Sequence, residues 1–369
     1  MRIAIIGPTY PYKGGIALHT TELAHRLRRA GHEVVLESWS AQYPKVLYPG
    51  RQTIDTPEHE LFPGSRRALS WRRPESWWQV GRRLRGWADQ AVLAVSTPWQ
   101  LVPYLGILVG LRGGGTRTVA LCHNVLPHER SRVDERLMRT LLARVDGVLV
   151  HSAEQAAVAR KLASTTVTVA AIAPYLPTTK SSATSGDTAV RKRLLFFGIV
   201  RPYKGLDVLL RALARGPADV ALTVAGEFWG GTADTVRLIG ELGLAARVTL
   251  RPGYLPSDQV PALFSEADAL VLPYRTATSS QNAWIAFENG IPVISTRAGS
   301  LGDQITDGVD GILCEPDDVD SLAAALDRFY QPGIPLRLRA GVAPVDPEPY
   351  WKSYIDKLTA LVAEPTCRS

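Results

Sequence analysis

Residues 193–210 read RLLFFGIVRPYKGLDVLL. Leu194–Gly198 is a short, wholly apolar run ending in glycine, and from Leu206 apolar residues recur at helical spacing, so the stretch reads as strand, tight loop and helix. A strand without polar alternation is one buried on both faces, as in a parallel sheet covered by helices. Just before it, TTKSSATSGDT at 178–188 has the Ser/Thr-rich composition of an interdomain connector. Beyond it the alternation continues, with strands expected at Ala221–Ala225, Val248–Arg251, Ala269–Leu272, Pro292–Ser295 and Gly311–Cys314. An earlier series precedes the connector: Ile3–Ile6, Glu33–Ser38, Val92–Val95, Thr118–Cys122, Gly147–Val150 and Thr168–Ile172, with a helix Ile16–Ala30 closed by Gly31. The pattern predicts an α/β chain of two Rossmann-like, doubly wound domains facing a cleft. Their expected bounds are 1–177 and 194–345, joined by a linker at 178–193 and followed by a helix in 346–369 that returns toward the first domain. Residues 41–75, Pro-rich and without periodicity, read as a functional loop.

A chain of 369 residues, 46% hydrophobic and 21% charged, supports two separate cores and excludes disorder as the main state. Cys122, Cys314 and Cys367 are too scattered for a disulfide framework or a thiolate zinc knuckle, which fits a reducing, cytoplasmic setting. The opening MRIAIIGPTYPYKGG reads as a buried first strand, not a signal peptide. Ala91–Leu111 is apolar enough to suggest a membrane span, but Pro98 and Pro103 divide it into a strand and a short helix.

The net charge of +7 is uneven, with 23 basic against 13 acidic residues in 1–175. Ser65–Trp87 (SRRALSWRRPESWWQVGRRLRGW) concentrates seven arginines and four tryptophans against the single acid Glu75. Two readings stand side by side: an amphipathic helix docked through Trp77, Val80 and Leu84, or a surface for an anionic membrane. Nucleic acid is not expected, because no helix-turn-helix, zinc or RNP-like signature accompanies the charge.

In doubly wound domains ligands sit outside the carboxyl ends of the strands. After the first strand, Gly14 and Gly15 lead directly into a helix, freeing backbone N–H groups for an anion. After Leu194–Gly198, Arg201 and Lys204 lie beside a helix start, where two cations and the helix dipole favour the same diphosphate. In TATSSQNAW, Ser279, Ser280, Gln281 and Asn282 crowd another helix start, as an anion site or as simple N-caps. No metal is expected: Asp318–Asp320, the one D-x-D string, falls at a helix start where acids act as caps.

Taken in order, GGIALHTTELAHRLRRAGHEV, CHNVLPHE, GIVRPYKGLDVLLRAL, LTVAGE, VTLRPGYLPSDQVPALFSEADALVLPY and NGIPVISTRAGSLGDQITDGVDGIL resemble the retaining glycosyltransferases of family 4, over essentially the whole chain. The resemblance implies the GT-B fold, a nucleotide-diphosphate sugar as donor with no further cofactor, and an acceptor alcohol or glycan. It implies that Arg201 and Lys204 hold the donor diphosphate, that Gly15 lets the backbone approach it, and that His123 sits beside the transferred sugar. Gly14, Ser279, Ser280, Gln281, Asn282 and Tyr254 would complete the donor side; Lys13, His19 and Asn124 would line the acceptor side. His128 and Glu129 are expected to be structural. One departure matters: where the family carries two glutamates eight apart, this chain has Ala277 and Ile285, which leaves two substitutes, the polar side chains of Ser280 and Gln281 or a displaced carboxylate from Glu288. Loss of both glutamates also leaves open a catalytically weak relative that serves as a glycan- or nucleotide-binding partner subunit.

Overall fold

The computed structural model describes residues 1–42, 52–54, 60–126, 132–175, 189–277 and 280–363. The chain forms two compact units, Met1–Tyr175 with Pro347–Ser369, and Leu176–Asp346. Cys367, His128, Glu129, Ser279 and most of the expected linker lie outside the described residues.

Unit 1 is built on strands β1 (Arg2–Ile6), β2 (Glu33–Ala41), β3 (Arg66–Ser70), β4 (Gln90–Val95), β5 (Arg117–Cys122), β6 (Gly147–Val150) and β7 (Thr166–Val169). They pair in parallel in the order β3-β2-β1-β4-β5-β6-β7, so the order reverses between β1 and β4. Helices α1 (Gly15–Arg29), α2 (Glu75–Leu84), α3 (Leu101–Leu111), α4 (Arg132–Leu142) and α5 (Ala153–Leu162) follow their strands. β4 is buried at every position, which is why its sequence, QAVLAV, carries almost no polar signal.

Unit 2 has β8 (Arg193–Phe197), β9 (Ala221–Gly226), β10 (Val248–Pro252), β11 (Ala269–Leu272), β12 (Val293–Thr296) and β13 (Gly311–Cys314), in the order β10-β9-β8-β11-β12-β13. Its helices are α6 (Leu206–Arg215), α7 (Ala233–Glu241), α8 (Val260–Ser265), α9 (Gln281–Glu288), α10 (Val319–Phe329) and α11 (Ile334–Gly341). The last helix, α12 (Glu348–Ala363), belongs to unit 1. It buries Trp351, Tyr354, Leu358 and Leu361, and the Trp351 indole N–H donates to the Pro174 carbonyl at 2.9 Å.

Two expectations are corrected. Residues 66–70, read as part of a loop, form an edge strand, parallel to β2 with shifts of register. Only Leu69 and Ser70 of that strand are buried, so its apolar pattern is too short to announce itself. The last strand of unit 1 starts at Thr166, not Thr168; its half-exposed edge position blurs its ends.

Helix α2 buries Ser76, Val80, Gly81 and Leu84 and packs on α3, with Trp77 against Gly106 and Gly81 against Gly110. A side chain at Gly81 would overlap the Ile107 carbonyl, so the two backbones meet where glycine permits it. Arg83 on α2 donates to the wholly buried Glu37 carboxylate of β2 at 2.6 Å. Burial pushes the Glu37 carboxyl above its usual range, and Arg83 and Arg66 draw it back. Arg83→Ala is expected to cost about 2 kcal/mol, less than the roughly 3–5 kcal/mol of a fully buried pair because Arg83 meets solvent. Urea denaturation at pH 7 checks it. A loss of under about 0.5 kcal/mol, the scale of an exposed pair, would mean that Glu37 does not depend on Arg83.

Candidate functional site

In unit 2, the strand-end residues gather around one turn. β8 ends at Phe197, and Gly198 turns the chain with φ +104. Val200 is fixed by its N–H on the Glu227 carbonyl at 2.8 Å. Arg201, in extended backbone, opens a 3-10 turn over Pro202–Lys204, and α6 follows with its first N–H groups at the strand end. Lys204 is 9% exposed, and its ammonium lies 5.2 Å from the Tyr274 ring centroid. Burial opposes the charge on Lys204, but Tyr274 and Tyr203 outweigh it and hold the amine above the usual lysine pKa. The Arg201 guanidinium stacks 4.0 Å from the Trp229 ring centroid.

Asn282 joins this group. Its side-chain amide donates to the Phe197 carbonyl at 2.8 Å, and a Cβ built on Gly198 would lie 3.1 Å from that nitrogen and 3.3 Å from Lys204 Nζ. Lys204 and Asn282 therefore converge on the bare backbone of Gly198. Ser280 caps α9, accepting from the Asn282 N–H at 3.3 Å, and its own backbone is gripped at both ends by the Gln304 amide. Gln281 follows it as the first residue of α9.

Two other expected donor residues lie in the loop after β10 and at the end of α9. Tyr254 is exposed in the loop after β10. Glu288 closes α9 at the end opposite Ser280, where its carboxylate accepts from the Val345 N–H at 3.0 Å. It is not brought to the Lys204 group, because an eight-residue helix sets its ends about 10 Å apart. Asp318 N-caps α10, accepting from Ser321 N–H at 2.9 Å. Among the described residues, no group of His, Cys, Asp and Glu could hold a metal ion.

In unit 1, Gly14 precedes α1 with φ +103, and a Cβ on Gly15 would run into the Tyr175 hydroxyl at 2.5 Å. Lys13 is tied by its backbone N–H to the Gln52 carbonyl at 2.8 Å, and Asn124 borders a small depression with Ser96 and Thr97. His19 does not line a surface. It is 1% exposed, stacked against Trp351 at 5.4 Å, with ring centroids 5.1 Å from His123 and 5.8 Å from His151. His123 and His151 are 4.9 Å apart. The His151 Nδ1 must carry its proton, because it meets the Ala170 carbonyl at 3.0 Å, leaving Nε2 as a bare acceptor. Among the described residues, Nε2 of His151, Nε2 of His123 and both ring nitrogens of His19 meet no hydrogen-bond partner. Burial, with the neighbouring imidazoles, lowers the pKa of His19 and His123 well below the usual value, and burial lowers that of His151 to about 4.

Residues 13–171 match the sequence model described as Glycosyltransferase Family 4, and 191–331 match that described as Glycosyl transferases group 1. The chain is built of these two glycosyltransferase domains. The D-inositol 3-phosphate glycosyltransferase of Mycobacterium marinum is 33% identical to this chain over 139 residues. That match spans 37% of this chain and only 30% of the relative. Among solved structures, sucrose-phosphate synthase from Thermosynechococcus elongatus superposes with a TM-score of 0.72 at 17% identity, covering 98% of this chain and 99% of that one. Anabaena HepE in complex with UDP gives 0.69 at 17% identity, covering 98% and 100%. The two parallel sheets are thus those of a GT-B glycosyltransferase.

Three residues of the Lys204 group were not singled out in the sequence: Trp229, Tyr274 and Arg275. Trp229 stands in FWGG, a turn after a strand, and Tyr274 and Arg275 stand in VLPYR, directly after another. Aromatic or basic residues just past a strand end were the available signal.

Proposed function

We propose that this glycosyltransferase moves a sugar from a nucleotide-diphosphate sugar to an acceptor hydroxyl, with retention of anomeric configuration and without a metal ion. The observation that carries the reading is the pairing of Arg201 and buried Lys204 on the turn that delivers the first N–H groups of α6. In the reaction the bond from the anomeric carbon to the diphosphate oxygen breaks, and its electron pair leaves with the diphosphate. Arg201, Lys204 and the helix terminus provide positive potential where that charge develops. The acceptor oxygen bonds to the anomeric carbon from the same face, and its proton passes to the departing phosphate oxygen. HepE was solved with UDP, so UDP is the first ligand to try, beside GDP, ADP and dTDP. Thermal shift identifies the base, and transfer from the matching sugar nucleotide is then measured with and without EDTA. Transfer that disappears with EDTA and returns with a divalent ion would overturn the metal-independent reading.

A second reading rests on Ala277 and Ile285, apolar where the family carries glutamates, and on a Glu288 already engaged by Val345. It makes the protein a nucleotide- or glycan-binding partner subunit of low activity. Donor hydrolysis separates the two: binding of the diphosphate with no turnover favours the subunit.

For the acceptor we propose a lipid-linked molecule at the cytoplasmic face of a membrane. No helix among the described residues is long and apolar enough to cross one. Support comes from the outer side of the α2–α3 pair. Arg82 lies 4.7 Å from the Trp78 ring and Arg72 5.4 Å from the Trp71 ring, and Trp78, Trp99, Val102 and Val109 are exposed. Docking of α2 and presentation of the arginines are thus compatible, with Arg83 alone of the α2 arginines turned to Glu37. Each arginine at an anionic leaflet is worth on the order of 1 kcal/mol. The protein is expected to pellet with anionic vesicles at low salt and to be released at high salt. The variant Arg72→Glu, Arg73→Glu, Arg82→Glu should stay in the supernatant; equal pelleting of both proteins would leave the basic segment a solvated face, and no pelleting of either would make the acceptor a soluble one.

A further inference from the structure

The turn that carries Arg201 and Lys204 has little holding it from within: Lys204 N–H to the Arg201 carbonyl at 2.9 Å and Gly205 N–H to the Pro202 carbonyl at 3.1 Å. Most of its support comes from three consecutive residues after β11. A side chain at Gly205, whose φ is +65, would overlap the Pro273 carbonyl, so the turn is pressed against that peptide. Tyr274 faces the Lys204 ammonium. Arg275 makes the remaining contacts. Its backbone N–H donates to the Tyr203 carbonyl at 2.8 Å, and Nη1 donates to the Pro202 carbonyl at 2.6 Å. The guanidinium also forks onto Asp207, in the first turn of α6, at 2.8 and 2.7 Å, and Nε donates to Asp317 at 2.7 Å.

We infer that Arg275 is a positioning residue: it fixes the turn that aims Arg201 and Lys204 and cancels the charge of Asp207 beside them. This rests on the reading of those two cations as a diphosphate clamp. The geometric part follows from where the bonds fall. A planar guanidinium satisfies a backbone carbonyl of the turn and a carboxylate of the following helix at once, which a lysine ammonium cannot reproduce with the same orientation. The electrostatic part follows from Asp207. An acid in the first turn of a helix is favourable for the helix, but here it stands at the terminus offered to an anionic ligand, and uncompensated it would repel a diphosphate. Asp317 anchors the far side of the guanidinium and itself adopts φ +57, a left-handed conformation that aspartate tolerates better than most residues.

Fixing the clamp should matter for the second phosphate far more than for the nucleoside. The readout is therefore the ratio of affinities for a nucleoside diphosphate and its monophosphate, measured by calorimetry on the full chain. The pairs are UDP/UMP, GDP/GMP, ADP/AMP and dTDP/dTMP, and the pair bound most tightly by the wild type is used. Arg275→Gln is expected to lower that ratio at least tenfold with the monophosphate affinity unchanged, and Arg275→Lys to lower it less. Arg328→Gln, which removes an ion pair to Asp307 in the same unit, is expected to leave it unaltered. Adding Asp207→Asn to Arg275→Gln removes the repulsion but not the looseness of the turn, so recovery should be partial. A wild type that prefers no diphosphate overturns the clamp and this role with it. A wild type that does prefer one, with a ratio in Arg275→Gln within twofold of it, overturns the positioning role alone. Full recovery in the double variant overturns the geometric part.

Discussion

Lys204→Ala is expected to lower kcat/KM for the donor by roughly 30-fold or more, about 2 kcal/mol of transition-state stabilisation. Its ammonium is nearly sealed from water, where an ionic contact to the leaving diphosphate is screened least. Arg201 stacks on Trp229, which is 39% exposed, so Arg201→Ala should cost somewhat less. If both cations act on one developing charge, as proposed, the double variant is expected to lose less than the sum of the single losses. Lys204→Met keeps an unbranched stem beside Tyr274 and removes only the charge; it should match Lys204→Ala. Initial rates over a range of donor concentrations test this, and turnover close to wild type at saturating donor in either single variant would mean that the pair does not touch the leaving group.

Acidification is the second large effect. An imidazole that stays neutral in the folded chain but titrates near 6.5 when unfolded leaves stability intact above that pH. Stability is lost as pH falls below 6.5, by about 1.4 kcal/mol per pH unit, until the folded pKa is reached. For His151, with a folded pKa of about 4, this amounts to roughly 3 kcal/mol between pH 6.5 and 4. His19 and His123 shift in the same direction and add to it. His151 alone accounts for a sizeable part of an ordinary domain's stability, about 5–15 kcal/mol, so unit 1 is expected to lose stability steeply in mild acid. His19→Phe removes an imidazole with two unpartnered nitrogens and should flatten the dependence. Urea midpoints at pH 7.5, 6, 5 and 4.5 measure it; a wild-type midpoint that is level from pH 6 to 4.5 would show that the three rings take up protons in place.

Much of the fold was legible because buried parallel strands write their burial directly into sequence: QAVLAV and RLLFF need no partner to be recognised. β3 was not, since an edge strand with two exposed arginines and two buried residues has no period to detect. The turn that carries Arg201 and Lys204 was legible for a related reason, as strand, turn and helix lie within 193–210. Arg275 was not, because its contact with Pro202 and Asp207 exists only where β11 lies beside β8, a neighbour relation set by sheet order and not by chain order. Glu37 looked like an ordinary polar residue in EVVLESW, and Arg83 like one more solvated arginine; only their pairing shows that one stabilises the other. The histidines come singly from α1 and from the ends of β5 and β6, so nothing in the sequence marks them as a group.

The placement of α12 sets an order of events during synthesis. Unit 2 leaves the ribosome complete and free to fold, whereas unit 1, begun first, waits for Trp351, Tyr354 and Leu358 until all of unit 2 has emerged. Until then His19 lacks its indole cover, and the sheet face that α12 will occupy stays wet. The first-made half of this glycosyltransferase is therefore the last to close, and a nascent chain arrested before residue 351 should hold a folded second unit beside a first that proteases still attack.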